Sequence, residues 1–224
     1  MTLAFDDELI DANPCRKVRP LPMDDRRTRY LSADEEKALL TALAGQEWLR
    51  AVVVAALHTG MRRGELFNLR WFDVDIGRGM IHVRHTKNGR DRTVPINRTV
   101  REVLEHQAKA SAYVFPSPKT GARLVDIKRS FKQACTAAAL VDFRFHDLRH
   151  TAATRLADAG VSVVVIAEVL GHSDIRMTKR YAHAMDEAKR EAVERLHHSG
   201  VGCQNHAKFQ RKEEQPAARL AVSR

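Results

Sequence analysis

An Asn-Gly step at Asn88-Gly89 lies between two short β-type runs, Met80-Ile81-His82-Val83-Arg84 and Arg92-Thr93-Val94-Pro95-Ile96. That arrangement is the strongest short-range signal for an antiparallel hairpin. Nearly everything around it carries helical periodicity instead. Ser32-Ala33-Asp34-Glu35 is a capping box that opens one helix. Further helices are predicted over Trp48–His58, Arg63–Leu69, Thr99–Ala108, Asp126–Ala139, Asp147–Ala159, Val163–Leu170, Ile175–Ala182 and Asp186–His197, with Gly160 and Gly171 placed as C-caps. One hairpin cannot bury a core alone, so the expected class is mainly α with a small antiparallel β-sheet (α+β) over residues 31–198. Residues 1–30, with Pro14, Pro20 and Pro22 among charges, read as a basic linker. Residues 199–224 are polar and aperiodic and read as a mobile tail.

The chain of 224 residues has 44% hydrophobic residues, which excludes disorder throughout. Its longest apolar stretch, Ala51 to Leu57, is far short of a membrane span, so no membrane partner is expected. Asp6, Asp7 and Glu8 open the sequence where a secretory signal would be basic. Cys15, Cys135 and Cys203 form no CxxC, and a reduced, cytoplasmic setting is the expectation. The charge balance is informative: 38 Lys and Arg against 28 Asp and Glu leave +10. Such a surplus favours a polyanion, nucleic acid first and an acidic membrane surface second. It is also concentrated locally. Between Ile76 and Arg101 stand Arg78, Arg84, Lys87, Arg90, Arg92, Arg98 and Arg101 against Asp91 alone, and Arg16–Arg29 is a second basic run. A surface that tracks phosphates needs such stripes.

Four polar clusters interrupt the helical background. In Thr59-Gly60-Met61-Arg62-Arg63-Gly64-Glu65-Leu66, the simpler reading makes Gly60 a C-cap and Arg62 an exposed helix start. Lys87 at the hairpin tip reads by itself as a solvated turn. In His146-Asp147-Leu148-Arg149-His150, His146 and Arg149 share a helix face and both could reach one phosphate. His146-xxx-His150 has zinc spacing, but nothing completes the site and no metal is expected. The fourth is Leu170-Gly171-His172-Ser173 with Tyr181 beyond it, where a tyrosine alone is usually a packing residue.

Taken in order, Arg62, Lys87, His146, Arg149, His172 and Tyr181 resemble the signature of the tyrosine recombinase (phage integrase) family. Thr59-Gly-x-Arg62-x-x-Glu65-Leu66 is similar to its first arginine box and His146-x-x-Arg149-His150-Thr151 to its second. Leu170-Gly171-His172 with Tyr181 is similar to its third, and Lys87 occupies the position of its hairpin lysine. The resemblance spans the catalytic domain. It implies cleavage and rejoining of double-stranded DNA through a 3′-phosphotyrosine, without metal, ATP or other cofactor. Arg62 and Arg149 would clamp the phosphate, since guanidinium can give two parallel hydrogen bonds to it. His172 would add a donor, Tyr181 would be the nucleophile, and His146 would take its proton. Lys87 would protonate the leaving 5′-oxygen. Glu65, Asp147 and His150 are expected to support these groups from behind. Arg63, Arg84, Arg90 and Arg92 are expected to contact DNA.

Members of the family are implied to work as homotetramers on two duplexes, some with accessory DNA-bending proteins. They normally carry an N-terminal clamp domain, and residues 1–30 are expected to be the linker that follows one. Two other readings share these residues, a type IB topoisomerase and a non-catalytic DNA-binding regulator. Length and the Leu170-Gly171-His172 box favour the recombinase over the topoisomerase, and the complete signature favours an enzyme over the regulator.

Overall fold

The computed structural model describes residues 29–84 and 91–178 together with Leu9, Asp11, Val18, Tyr181, Arg190, Val193 and Glu194. The chain divides into two compact units, residues 1–184 and 185–224, and the elements described here belong to the first. Lys87 and Arg90 lie outside the described residues, as do nearly all of 1–30, 199–224 and the expected helix Asp186–His197.

Helix α1 (Ala33–Ala42) starts where its capping box places it. The Ser32 hydroxyl accepts the Glu35 N–H at 3.2 Å, and the Glu35 carboxylate accepts the Ser32 N–H at 3.0 Å. Helix α2 (Glu47–Thr59) is apolar on nearly every side and is correspondingly central, with Leu49 and all of Ala51 to Leu57 buried. Helices α4 (Arg98–His106) and α6 (Asp147–Asp158) pack against it. Helix α5 (Lys128–Ala137) packs on α1, and α7 (Val163–Leu170) packs on α6. Between α2 and α4 come the short helix α3 (Arg63–Asn68) and the sheet.

The sheet is antiparallel in the order β1 (Val74–Asp75), β2 (Met80–Val83), β3 (Arg92–Pro95). The expected hairpin pairs Ile81 with Val94 and Val83 with Arg92, which turns Ile81, Val83 and Val94 into the core. The two residues of β1 are too few to show alternation, so sequence pattern does not predict them. Helix α5 is shorter than expected because Asp126 accepts the Lys128 N–H at the start and Ala139 turns to φ 54° after the end. The expected helix Ile175–Ala182 is, in its described part, a 3₁₀ turn over Ile175–Met177. Asp174 accepts the Arg176 N–H and tightens that turn.

Gly60 ends α2 in the left-handed region, φ 63°, directly against Leu170 of α7. An added Cβ would stand 2.4 Å from Leu170 Cδ2, and Leu170 is fully buried, so it would have to shift within the core. Gly60→Ala is therefore expected to destabilise the fold by about 1–3 kcal/mol, combining overpacking with positive-φ strain. Urea unfolding measures it, and an unchanged midpoint would refute the packing argument.

Candidate active site

Thr59, Gly60 and Met61 shape the first box. The Thr59 hydroxyl donates to the Ala55 carbonyl at 2.6 Å and accepts the Met61 N–H at 3.3 Å. Met61 is buried, so the chain turns sharply and delivers Arg62 to the N-cap of α3. There the Glu65 carboxylate accepts both the Arg62 backbone N–H at 2.8 Å and its guanidinium at 3.0 Å. The other end of the guanidinium donates to the Gly171 carbonyl at 2.9 Å. Arg62 thus joins the first box to the third, although 109 residues separate it from Gly171.

Glu65 carries a second guanidinium. Arg92 donates to its two oxygens at 2.9 and 2.8 Å and reaches the Val169 carbonyl with Nε at 3.0 Å. Expected at the DNA surface, Arg92 lies instead inside the fold, with only 9% of its side chain exposed. The reason is the hairpin register, which points this end of β3 at the C-terminus of α7. Gly171 completes the arrangement: at φ 68° it leaves the space that Arg92 fills, where a Cβ would come within 2.8 Å of the guanidinium. Burial pushes the Glu65 carboxyl up, but the hydrogen bonds and charge of Arg92, with the bonds from Arg62, outweigh it. The net pKa is lowered and Glu65 is ionised.

Arg149 on α6 is buried and donates to the Gly60 carbonyl at 2.8 Å. Burial first, and then the like charge of Arg62, bring its pKa down to about 9; Arg92 acts the same way, while Glu65 and Tyr181 oppose it. At neutral pH the guanidinium is still a cation, held near a second cation in a poorly solvated place. An entering anion would relieve that repulsion, as a preorganised phosphate site requires.

The third box positions its histidine through a residue that sequence reading missed. His172 Nδ1 lies 2.6 Å from the hydroxyl of Thr178, which is 1% exposed at the end of the 3₁₀ turn. Only the fold brings these two together around a turn that pattern reads as a helix.

Tyr181 packs beside the small cluster of Ala153, Ala157, Ile166 and Leu170, so its ring rests on α6 and α7. Its hydroxyl is 2.5 Å from Nδ1 of His150. This departs from the expected roles, in which His146 meets the nucleophile and His150 supports from behind. His146 precedes α6 and is exposed, and its ring meets the His150 ring edge-on with centroids 5.0 Å apart. One turn along α6, His150 is the imidazole that faces Tyr181. Asp147 is buried and accepts the Arg144 N–H at 2.8 Å, which fixes the loop entering α6. Of the other expected DNA contacts, Arg63 is exposed on α3. Arg84 is half exposed, paired with Asp73 at 2.8 Å and lying over the exposed Phe72 ring.

Arg62 lines two open grooves. One, of about 680 Å³, runs past Arg70, Phe72, His82 and Arg84; the other, of about 800 Å³, runs past Lys128, Lys132, Arg144 and His146. Among the described residues no group of three or more His, Cys, Asp or Glu is placed to hold a metal ion. Among them too, no helix is long and apolar enough to cross a membrane.

Residues 29–188 match the model of the phage integrase family. The integrase of Salmonella phage P22 is 36% identical over 79% of this chain and 48% of its own length. The shufflon-specific DNA recombinase of Escherichia coli is 34% identical over 76% of this chain and 44% of its own. The chain thus spans about half the length of these curated relatives. Among solved structures, the Tn1549 transposon integrase in complex with circular intermediate DNA superposes with a TM-score of 0.68 and 26% identity, covering 87% of this chain and 76% of the other.

Proposed function

We propose that this chain, which belongs to the phage integrase family, cuts and rejoins double-stranded DNA at specific sites through a covalent tyrosine link. The observation that carries this reading is the meeting of three distant segments. Arg149 reaches the Gly60 carbonyl, Arg62 reaches that of Gly171, and Tyr181 lies against α6 within the same unit. Arg62, Arg149 and His172 would bind the non-bridging oxygens of the scissile phosphate. Charge accumulates on those oxygens in the transition state, and fixed cations stabilise it most where water is excluded.

Tyr181 would attack phosphorus, leaving a 3′-phosphotyrosine and a free 5′-hydroxyl. The link retains the energy of the broken bond, so a 5′-hydroxyl from a partner duplex can reverse it without ATP. Lys87, on the connection between β2 and β3, is assigned the protonation of the leaving oxygen by resemblance. Double-stranded DNA is the proposed partner, with Arg63 and Arg84 as contacts in the grooves beside Arg62 and Arg90 as a further contact by its charge. Exchange between two duplexes needs four active sites, so a homotetramer on DNA is part of the proposal. Residues 31–198 would form the catalytic domain, with 1–30 as the linker to a clamp domain.

A DNA duplex nicked beside the scissile phosphate traps the intermediate. Wild type is expected to give a protein–DNA band that survives SDS, and Tyr181→Phe none. DNA retention without such a band in either protein would leave only a binding module.

A further inference from the structure

We infer that His150, rather than His146, accepts the proton of the Tyr181 hydroxyl when that oxygen attacks DNA; the inference rests on the strand-transfer reading above. The observation behind it is direct contact. Nδ1 of His150 stands 2.5 Å from the Tyr181 oxygen, and the ring centroids are 6.0 Å apart. A neutral phenol is a weak nucleophile, and a proton acceptor must lie within hydrogen-bond reach of the proton that it removes. His150 meets that geometric condition before any DNA arrives.

The surroundings hold the imidazole in place. His150 is half-buried on α6, directly after the buried Arg149. The His146 ring packs edge-on at 90° against it and restricts its rotation. With the proton on Nε2, Nδ1 presents its lone pair to the hydroxyl. In the forward step the Tyr181 oxygen–phosphorus bond forms and the bond from phosphorus to the 5′-oxygen breaks. The tyrosine proton moves to Nδ1 of His150, while the 5′-oxygen receives a proton from the general acid assigned to Lys87. Rejoining reverses each transfer, and His150 returns the proton to the phenol. His146 then serves as a positioning residue through its ring contact.

Single-turnover formation of the covalent complex on the nicked duplex, followed from about pH 5.5 to 9, tests this. Wild type is expected to slow on the acid side as the acceptor becomes protonated. His150→Gln, which keeps side-chain size and polarity, is expected to be about 10²–10⁴-fold slower and to lose that acid limb. A purely structural role would lower the rate and leave the limb's midpoint in place, and that result overturns the assignment. So does His150→Gln acting at nearly the wild-type rate.

A second measurement needs no DNA. In the free protein, the imidazole NMR titration of His150, assigned with His150→Gln, is expected to shift its midpoint in Tyr181→Phe, and an unmoved midpoint overturns the contact itself. If wild type forms no covalent complex, the strand-transfer reading fails and proton transfer fails with it. The NMR titration then still decides whether His150 and Tyr181 touch.

Discussion

Arg149→Lys is expected to slow covalent complex formation about 10²–10³-fold while the protein remains folded. Arg149 already gives one donor to the Gly60 carbonyl, which fixes the plane of the guanidinium and leaves its other N–H groups for phosphate. A lysine ammonium is a compact point charge without that fork, so it cannot anchor to Gly60 and present a paired donor edge together. Charge is conserved in the exchange, and what changes is the aim of the donors. Single-turnover rates on the nicked duplex, with DNA affinity measured in parallel, separate the two contributions. A lysine variant within about threefold of wild type in rate would mean that the site uses charge alone.

Glu65→Ala is expected to cost about 3–5 kcal/mol of stability, because it strips the partner from guanidiniums that cannot reach water freely. Side chains of Glu65 and Arg92 are 7% and 9% exposed, and the same carboxylate holds Arg62. Arg92→Met should cost less, since Glu65 keeps Arg62 and the methionine fills part of the space. Urea unfolding of both variants gives the comparison, and a loss under about 1 kcal/mol for Glu65→Ala would contradict the brace. The pH dependence has a definite direction. Glu65 has its pKa lowered by folding, so its contribution is fully present above the ordinary carboxylate range and is lost as pH falls through the lowered value. Its loss should also disable the site, because Glu65 aligns Arg62 and ties β3 to α7 through Arg92.

That brace also explains why one basic residue could be misplaced from sequence. Arg92 stands in the most basic stretch of the chain, and charge density alone assigns it to a phosphate-facing surface. Strand register turns it the other way, towards Glu65, 27 residues earlier. Arg84, one residue beyond β2, keeps half its surface and remains available. Neither composition nor spacing distinguishes the two.

The histidines of the second box show the same limit. His146 and His150 sit four residues apart on one helix face, and either could meet a phenol arriving from the third box. Tyr181 comes to rest on the cluster formed by α6 and α7, which brings it to His150. Thr178 carried no signal at all, being one hydroxyl in a segment whose spacing suggested a helix.

Sequence by itself determined the local structure: the Ser32 capping box, the central apolar helix, the antiparallel hairpin of the two β-type runs, and the left-handed glycines that end α2 and α7. Each depends on residues a few positions apart, whose energies are decided within a turn or a strand pair. It also supplied the functional groups in their order. Which of those groups touch was decided only by tertiary packing. Arg62 and Gly171, His150 and Tyr181, and Arg92 and Glu65 lie 109, 31 and 27 residues apart. Their meeting depends on how α2, α6, α7 and β3 bury their apolar faces together, and no local preference encodes that.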